Sequence, residues 1–106
     1  VLVQVADRLR AALRVGDDLA RIGGDEFTVL MRNVPGDDAA QHLADRMLAA
    51  TTEPFVVDGR ELRIGLSIGI ALVTPDLSAD TLLALADAAL YQAKRDGGGR
   101  AHVAHR

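Results

Sequence analysis

The residues best suited to chemistry stand together as Gly23-Gly24-Asp25-Glu26-Phe27, with Arg21-Ile22 just before them. Two adjacent carboxylates are hard oxygen donors, which suit a divalent cation such as Mg²⁺. The glycines beside them leave the backbone bare, so a ligand approaches without meeting a Cβ. Glycine also reaches the φ > 0 conformations that tight turns require. Leu19-Ala20-Arg21-Ile22 reads as a short strand and Phe27-Thr28-Val29-Leu30-Met31 as a longer one, which puts the motif at the tip of a β-hairpin. Successive side chains of a regular strand point to opposite faces, so both acids serve one site only if the turn between them is irregular. Gly-Gly-Asp alone is ordinary turn spelling.

Other charged positions carry weaker signals. Arg14-Val15-Gly16-Asp17 pairs a cation and an acid three residues apart, around a glycine that fits a helix C-cap. Lys94 closes a helical pattern that ends in Arg95-Asp96-Gly97-Gly98-Gly99. His42, His102 and His105 lack ligand spacing and read as solvated. Asp37-Asp38 reads as a helix start, not a calcium loop. Asp87 reads as a cap or ion-pair partner. Tyr91 reads as core packing with its hydroxyl at an edge.

The positioning elements follow from periodicity. Leu2, Val5, Ala6, Leu9 and Leu13 fall on one helical stripe, expected to run to about Val15 and stop at Gly16. Ala40, Leu43, Ala44 and Met47 mark a second helix ending near Ala50. Phe55-Val56-Val57 is a strand, and Asp58-Gly59 a two-residue hairpin turn. The return strand is expected to be long, with Leu62, Ile64, Leu66, Ile68 and Ile70 alternating with Arg63, Gly65, Ser67 and Gly69. Its small-residue face leaves room for a helix or a ligand. Ser78 fits an N-cap for a third helix carrying Leu82, Leu85, Ala86, Ala89 and Ala93. Ala101-His102-Val103 reads as a closing edge strand.

The order α-β-β-α-β-β-α-β predicts an α+β sheet, mostly antiparallel and covered by helices. No glycine-rich turn joins a strand to a helix, which excludes a dinucleotide fold. The chain has 106 residues, enough for one small domain. It has two Phe, one Tyr and no Trp, so its core is aliphatic and alanine-rich. A net charge of −3 argues against a general nucleic-acid polymer or membrane-surface binder. No cysteine is present, which removes thiolate metal sites and disulfides and is compatible with the cytoplasm. Val1 is not an initiator methionine and no cap precedes the first helix, so the chain reads as a fragment whose N-terminal portion is missing.

The motif, together with four further segments, resembles the GGDEF domain family, the diguanylate cyclases. Arg14-x-x-Asp17 stands at the offset of that family's inhibitory product site, and Arg21 is usual before the glycines. Ser67-Ile68-Gly69-Ile70-Ala71 resembles its inner strand. Ala86-Asp87-x-Ala89-Leu90-Tyr91-x-Ala93-Lys94 resembles its last helix. The resemblance spans residues 1–106 as a partial GGDEF domain, roughly the last two thirds. It implies a ferredoxin-like, nucleotidyl-cyclase palm architecture with the motif on a central β-hairpin.

The family condenses two GTP into cyclic di-GMP with pyrophosphate release, as a homodimer with one GTP per subunit. The resemblance therefore implies Asp25 at the catalytic position, Asp25 and Glu26 as ligands of Mg²⁺ or Mn²⁺, and Gly23 and Gly24 against the nucleotide. Lys94 would hold a terminal phosphate. Arg14 and Asp17 would bind product as an inhibitor, with Arg46 a weaker candidate to assist. A fused sensor or phosphodiesterase domain is in keeping with the family, as is a membrane anchor elsewhere in a full-length protein whose GGDEF domain is cytoplasmic.

Two departures stand out. The family's upstream third, which supplies a metal-anchoring aspartate and guanine-reading residues, is absent, so this chain alone is expected to be inactive. The family's Gly-Arg-Asn after the lysine helix is Gly97-Gly98-Gly99 here, which puts glycine where an arginine grips phosphate; Arg95 or Arg100 are the nearest substitutes. The alternative is a non-catalytic module that binds GTP or cyclic di-GMP, or dimerises, and regulates an attached phosphodiesterase domain.

Overall fold

Apolar residues three and four apart generate α1 (Leu2–Ala12), whose Val5 and Leu9 are fully buried. It belongs to a computed structural model that describes residues 2–32 and 34–104. His105, one of the three histidines considered above, lies outside that set, as do Val1 and Asn33. The helix is three residues shorter than its stripe suggests. Residues 13–17 form turns instead, and Gly16 takes φ 95 within them, beyond the helix end.

β1 (Asp18–Gly23) and β2 (Glu26–Met31) form the expected antiparallel hairpin. α2 (Asp37–Thr52) follows and ends at Glu53, whose extended ψ of 139° is what a following proline imposes. β3 (Phe55–Val57) and β4 (Arg60–Leu62) make a second hairpin. Asp58 and Gly59 turn it with φ 51° and 76°, the double positive φ of a type I′ turn. β5 (Ser67–Leu72), α3 (Ala79–Arg95) and β6 (Arg100–Val103) complete the order. Ser78 caps α3, its hydroxyl accepting the Thr81 amide at 3.2 Å.

The main sheet runs β1-β2-β5-β6, with β6 at an edge. The α+β layout, a sheet flanked by helices, is as the sequence implied. The polarity is not mostly antiparallel: β2 pairs with β5, and β5 with β6, in parallel. The chain leaves β2 through α2 and leaves β5 through α3, and each helical crossover returns it running in the same direction. The long return strand is also corrected. It breaks between β4 and β5, because β4 pairs only with β3 whereas β5 enters the main sheet.

Strand alternation sorts the two faces. Phe27, Val29, Met31, Ile68 and Ile70 form one core with Val5 and Leu9 of α1 and Ala40, Leu43, Ala44 and Met47 of α2. Burying each large side chain is worth about 1.5–3 kcal/mol relative to exposure. The opposite face is small, with Thr28, Gly69 and Ala71, and α3 lies directly on it. A Cβ on Gly69 would collide with the Ala86 carbonyl and the Leu90 amide, so this glycine sets how closely α3 approaches. Tyr91 is a further correction. It is 62% exposed, two residues off the buried Ala89 and Ala93, and Arg95 lies 5.9 Å above its ring.

Candidate functional site

The acid pair sits on a two-residue turn. Gly23 pairs with Glu26, Gly24 and Asp25 form the bend, and the register shifts between Arg21 and Gly23. This shift distorts β1 just ahead of the turn, and Asp25 stands in the bend while Glu26 begins β2. Asp25 is fixed from the neighbouring strand, its carbonyl accepting the Ser67 amide at 2.9 Å. Neither glycine has positive φ, contrary to the turn chemistry expected of them. Their purpose is space. A Cβ on Gly23 would meet Glu26 Oε2, so the Glu26 side chain folds back over the bare α-carbon. Gly24 has nothing within 4 Å of such a Cβ and faces open space.

α3 brings Lys94 to the same place. Its ammonium forms an ion pair with Glu26 Oε1, the two side chains being 51% and 20% exposed. The Lys94 ammonium is held above its ordinary 10.5, chiefly by the hydrogen bond and charge of Glu26 and to a lesser degree by the charge of Asp25; partial desolvation opposes. Glu26, Lys94 and Gly23 thus meet where a hairpin tip and a helix end come together, with Asp25 next to Glu26 in the bend.

Beyond Lys94, α3 ends in a Schellman motif. Gly97 donates to the Lys94 carbonyl at 3.1 Å and Gly98 to that of Ala93 at 3.0 Å. Gly97, Gly98 and Gly99 take φ 109°, 71° and 61°, a conformation in which an arginine at position 98 would be strained. Of the proposed substitutes, Arg95 lies over Tyr91, and Arg100 donates to the Gly98 carbonyl at 3.3 Å.

Two carboxylates fit Mg²⁺, which is usually held by one or two carboxylates with substrate phosphates and waters completing its shell. Among the described residues no group of three or more His, Cys, Asp or Glu gathers at one point. Asp25 and Glu26 would supply the protein oxygens, and the remainder would come from elsewhere.

Arg14 and Asp17 meet each other at the opposite end of the β1–β2 hairpin, on the order of 20 Å from the turn at ~3.4 Å per residue. The Arg14 guanidinium approaches Asp17 at 3.4 Å and donates to the Arg32 carbonyl at 2.7 Å. Asp17 accepts the Arg14 amide and the Arg32 amide, both at 3.1 Å, with its side chain only 1% exposed. Nothing in the local sequence points to Arg32, because its partner Asp17 stands fifteen positions earlier, ahead of β1. Arg14 also lines an open depression of about 500 Å³ with His42 and Arg46 of α2, which brings the weaker candidate Arg46 to the same wall.

A turn-borne acid pair facing a helix-borne lysine on a helix-flanked sheet defines a class: a nucleotidyl-cyclase-like domain. Its family follows from comparison. Residues 1–100 match the model of the "Diguanylate cyclase, GGDEF domain" family, and the chain belongs to that family. It is 42% identical over 98 residues to the bifunctional diguanylate cyclase/cyclic di-GMP phosphodiesterase MucR of Pseudomonas aeruginosa, covering 92% of this chain and 14% of MucR. It is 42% identical over 108 residues to the diguanylate cyclase TpbB of the same species, covering 98% of this chain and 24% of TpbB. The solved GGDEF domain of TpbB superposes with a TM-score of 0.82 at 38% identity, over 99% of this chain and 66% of that one. This chain thus spans a minor part of these full-length relatives.

Proposed function

We propose that this chain is part of a diguanylate cyclase that joins two GTP molecules into cyclic di-GMP and releases pyrophosphate. The observation that carries the reading is the contact of Glu26 with Lys94 on the Asp25-bearing turn, beside the bare Gly23-Gly24 backbone. Gly24 opens a path for the nucleotide to lie along the backbone. Asp25 and Glu26 would hold Mg²⁺ or Mn²⁺, which when bound neutralises phosphate charge and lowers the cost of ionising the attacking 3′-hydroxyl. Lys94 supplies a point charge for a terminal phosphate. Two such subunits, each holding one GTP, would face their sites together, so the active species is a homodimer.

The full-length protein with GTP and Mg²⁺ should therefore form cyclic di-GMP, and Asp25→Asn should abolish it. A folded full-length dimer that yields no product would sink the reading. The 106-residue chain, with only two carboxylates at the turn, should be inactive in the same assay.

Product inhibition is the second element. Arg14, half-exposed beside the depression shared with Arg46, would bind the guanine and phosphate of cyclic di-GMP, while Asp17 holds Arg14 in place and accepts from guanine. Binding at Asp17 would have to replace its internal donors. Titration of cyclic di-GMP against Arg14→Ala tests this, and unchanged affinity rejects it.

One observation favours a non-catalytic reading, in which the domain binds GTP or cyclic di-GMP, or dimerises, and regulates a fused phosphodiesterase domain. Gly98 removes a cation from the phosphate side of the site. MucR carries both activities in its name, so such a fusion has a relative. Altered phosphodiesterase activity on adding GTP, with no cyclase product, would favour this reading.

A further inference from the structure

Glu26 is already occupied by a cation. Its Oε1 faces the Lys94 ammonium and its Oε2 lies over Gly23, so the carboxylate is turned away from the strand and towards α3. A divalent ion on that carboxylate would compete with the ammonium for the same oxygen and repel it. Lys94 is also the only lysine among the twelve basic residues of this chain; every other is arginine. An arginine here would grip the carboxylate with a planar two-pronged fork. Lysine is a compact, swivelling, ion-like charge that exchanges readily with another cation. Its side chain is 51% exposed, one residue from the helix end and ahead of three glycines, which gives it room to swing.

We infer that Lys94 is the resident counter-ion of the acid pair, holding Glu26 in place and leaving it when a metal-bound triphosphate arrives. The inference rests on the metal-site reading of Asp25 and Glu26 and adds its regulation. Metal alone must displace an ammonium that has no new partner. Metal carried by a triphosphate offers that ammonium a phosphate in exchange. Divalent ion and triphosphate therefore bind cooperatively, and the ion alone binds weakly.

The test is a Mn²⁺ titration of the full-length protein, followed by the electron paramagnetic resonance of free Mn²⁺, with and without GTP. Lys94→Met should tighten Mn²⁺ binding in the absence of GTP by about tenfold, within the range seen for coupled sites, and should lose most of the tightening that GTP confers. Equal or weaker Mn²⁺ binding in Lys94→Met, with Glu26→Gln still abolishing it, overturns the exchange and leaves the metal site standing. If the wild type binds no Mn²⁺ even with GTP, the acid-pair reading fails and takes the exchange with it. Should Lys94→Met not fold, amine acylation of the wild type, read at Lys94 by mass spectrometry, decides the matter. Saturating Mg²⁺ alone should raise labelling at Lys94, and unchanged labelling rejects the inference.

Discussion

Asp17 and Arg32, fifteen positions apart, are joined by a 3.1 Å hydrogen bond from the Arg32 amide to the Asp17 carboxylate. That bond ties the turn after α1 to the end of β2. With the Arg14 amide also donating to it, the buried carboxylate holds the lower end of the hairpin in register. Asp17→Ala removes the charged acceptor of both amides and should cost about 1–3 kcal/mol, read as a shift in the denaturation midpoint. Arg14→Ala removes a half-exposed partner and should cost under ~1 kcal/mol while reducing product affinity. A variant lacking Asp17 that matches wild-type stability would show that the carboxylate is kept for ligand alone.

Gly69 is the corresponding test of the sheet's other face. A methyl there runs into backbone atoms of α3, at 2.8 Å from Leu90 Cα, and backbone cannot step aside as a side chain can. Gly69→Ala should destabilise by about 1–3 kcal/mol or more through overpacking, lowering Tm. A near-neutral result would mean that α3 sits farther from β5 than described.

Much of this architecture is legible in local spelling. Asp58-Gly59 demands its turn, Ser78 its cap, and Pro54 the end of α2, because each acts within three residues of itself. The Gly23-Gly24-Asp25-Glu26 hairpin is legible for the same reason. What escapes the sequence is decided by distant partners. The alternation of Leu62, Ile64, Leu66, Ile68 and Ile70 runs unbroken through residues 63–66, where the chain leaves one sheet and joins another. Parallel pairing of β2 with β5 depends on where α2 returns the chain. The motif's glycines mislead by type: neither Gly23 nor Gly24 takes positive φ, whereas Gly16, Gly59, Gly97, Gly98 and Gly99 do. Arg8 gave no signal at all. It stacks 3.7 Å from the Phe55 ring centroid and donates to the Glu53 carbonyl at 2.6 Å, so it closes the end of α2 from another helix.

Gly23 and Gly24 are neighbours with different duties, which makes them separable by mutation. The methyl of Gly23→Ala would strike only the flexible end of Glu26, which can rotate away, so stability should change by less than about 0.5 kcal/mol. Rotation carries Glu26 away from Lys94, and Mn²⁺ affinity and cyclase activity should fall together. Gly24→Ala meets no protein atom within 4 Å, so any loss it causes comes from obstructing the ligand. Denaturation curves alongside Mn²⁺ and GTP titrations distinguish the two. Equal metal affinity in Gly23→Ala and wild type would refute the orienting role of that bare α-carbon.

The C-terminal end of α3, just past Lys94, gives a pH prediction. Asp96 caps α3, accepts from Gln92 Nε2 at 3.2 Å and faces His102 Nε2 at 3.0 Å. These partners hold its carboxyl below the ordinary 3.8, Gln92 most strongly, then His102, against an opposing desolvation. A lowered folded value means that the stabilisation is present above 3.8 and is lost as pH falls through that lowered value. Lys94 has the opposite sign: raised above 10.5, its contribution is present below that value and lost as pH climbs past it. In a Tm series descending from about pH 6 to about pH 2, Asp96→Asn should remove part of the acid-side decline. His102→Ala should remove a smaller part, since Gln92 still donates to the carboxylate. Superimposable Tm curves for wild type and Asp96→Asn across that range would show that the Gln92–Asp96–His102 contact does not hold α3 to β6 in solution.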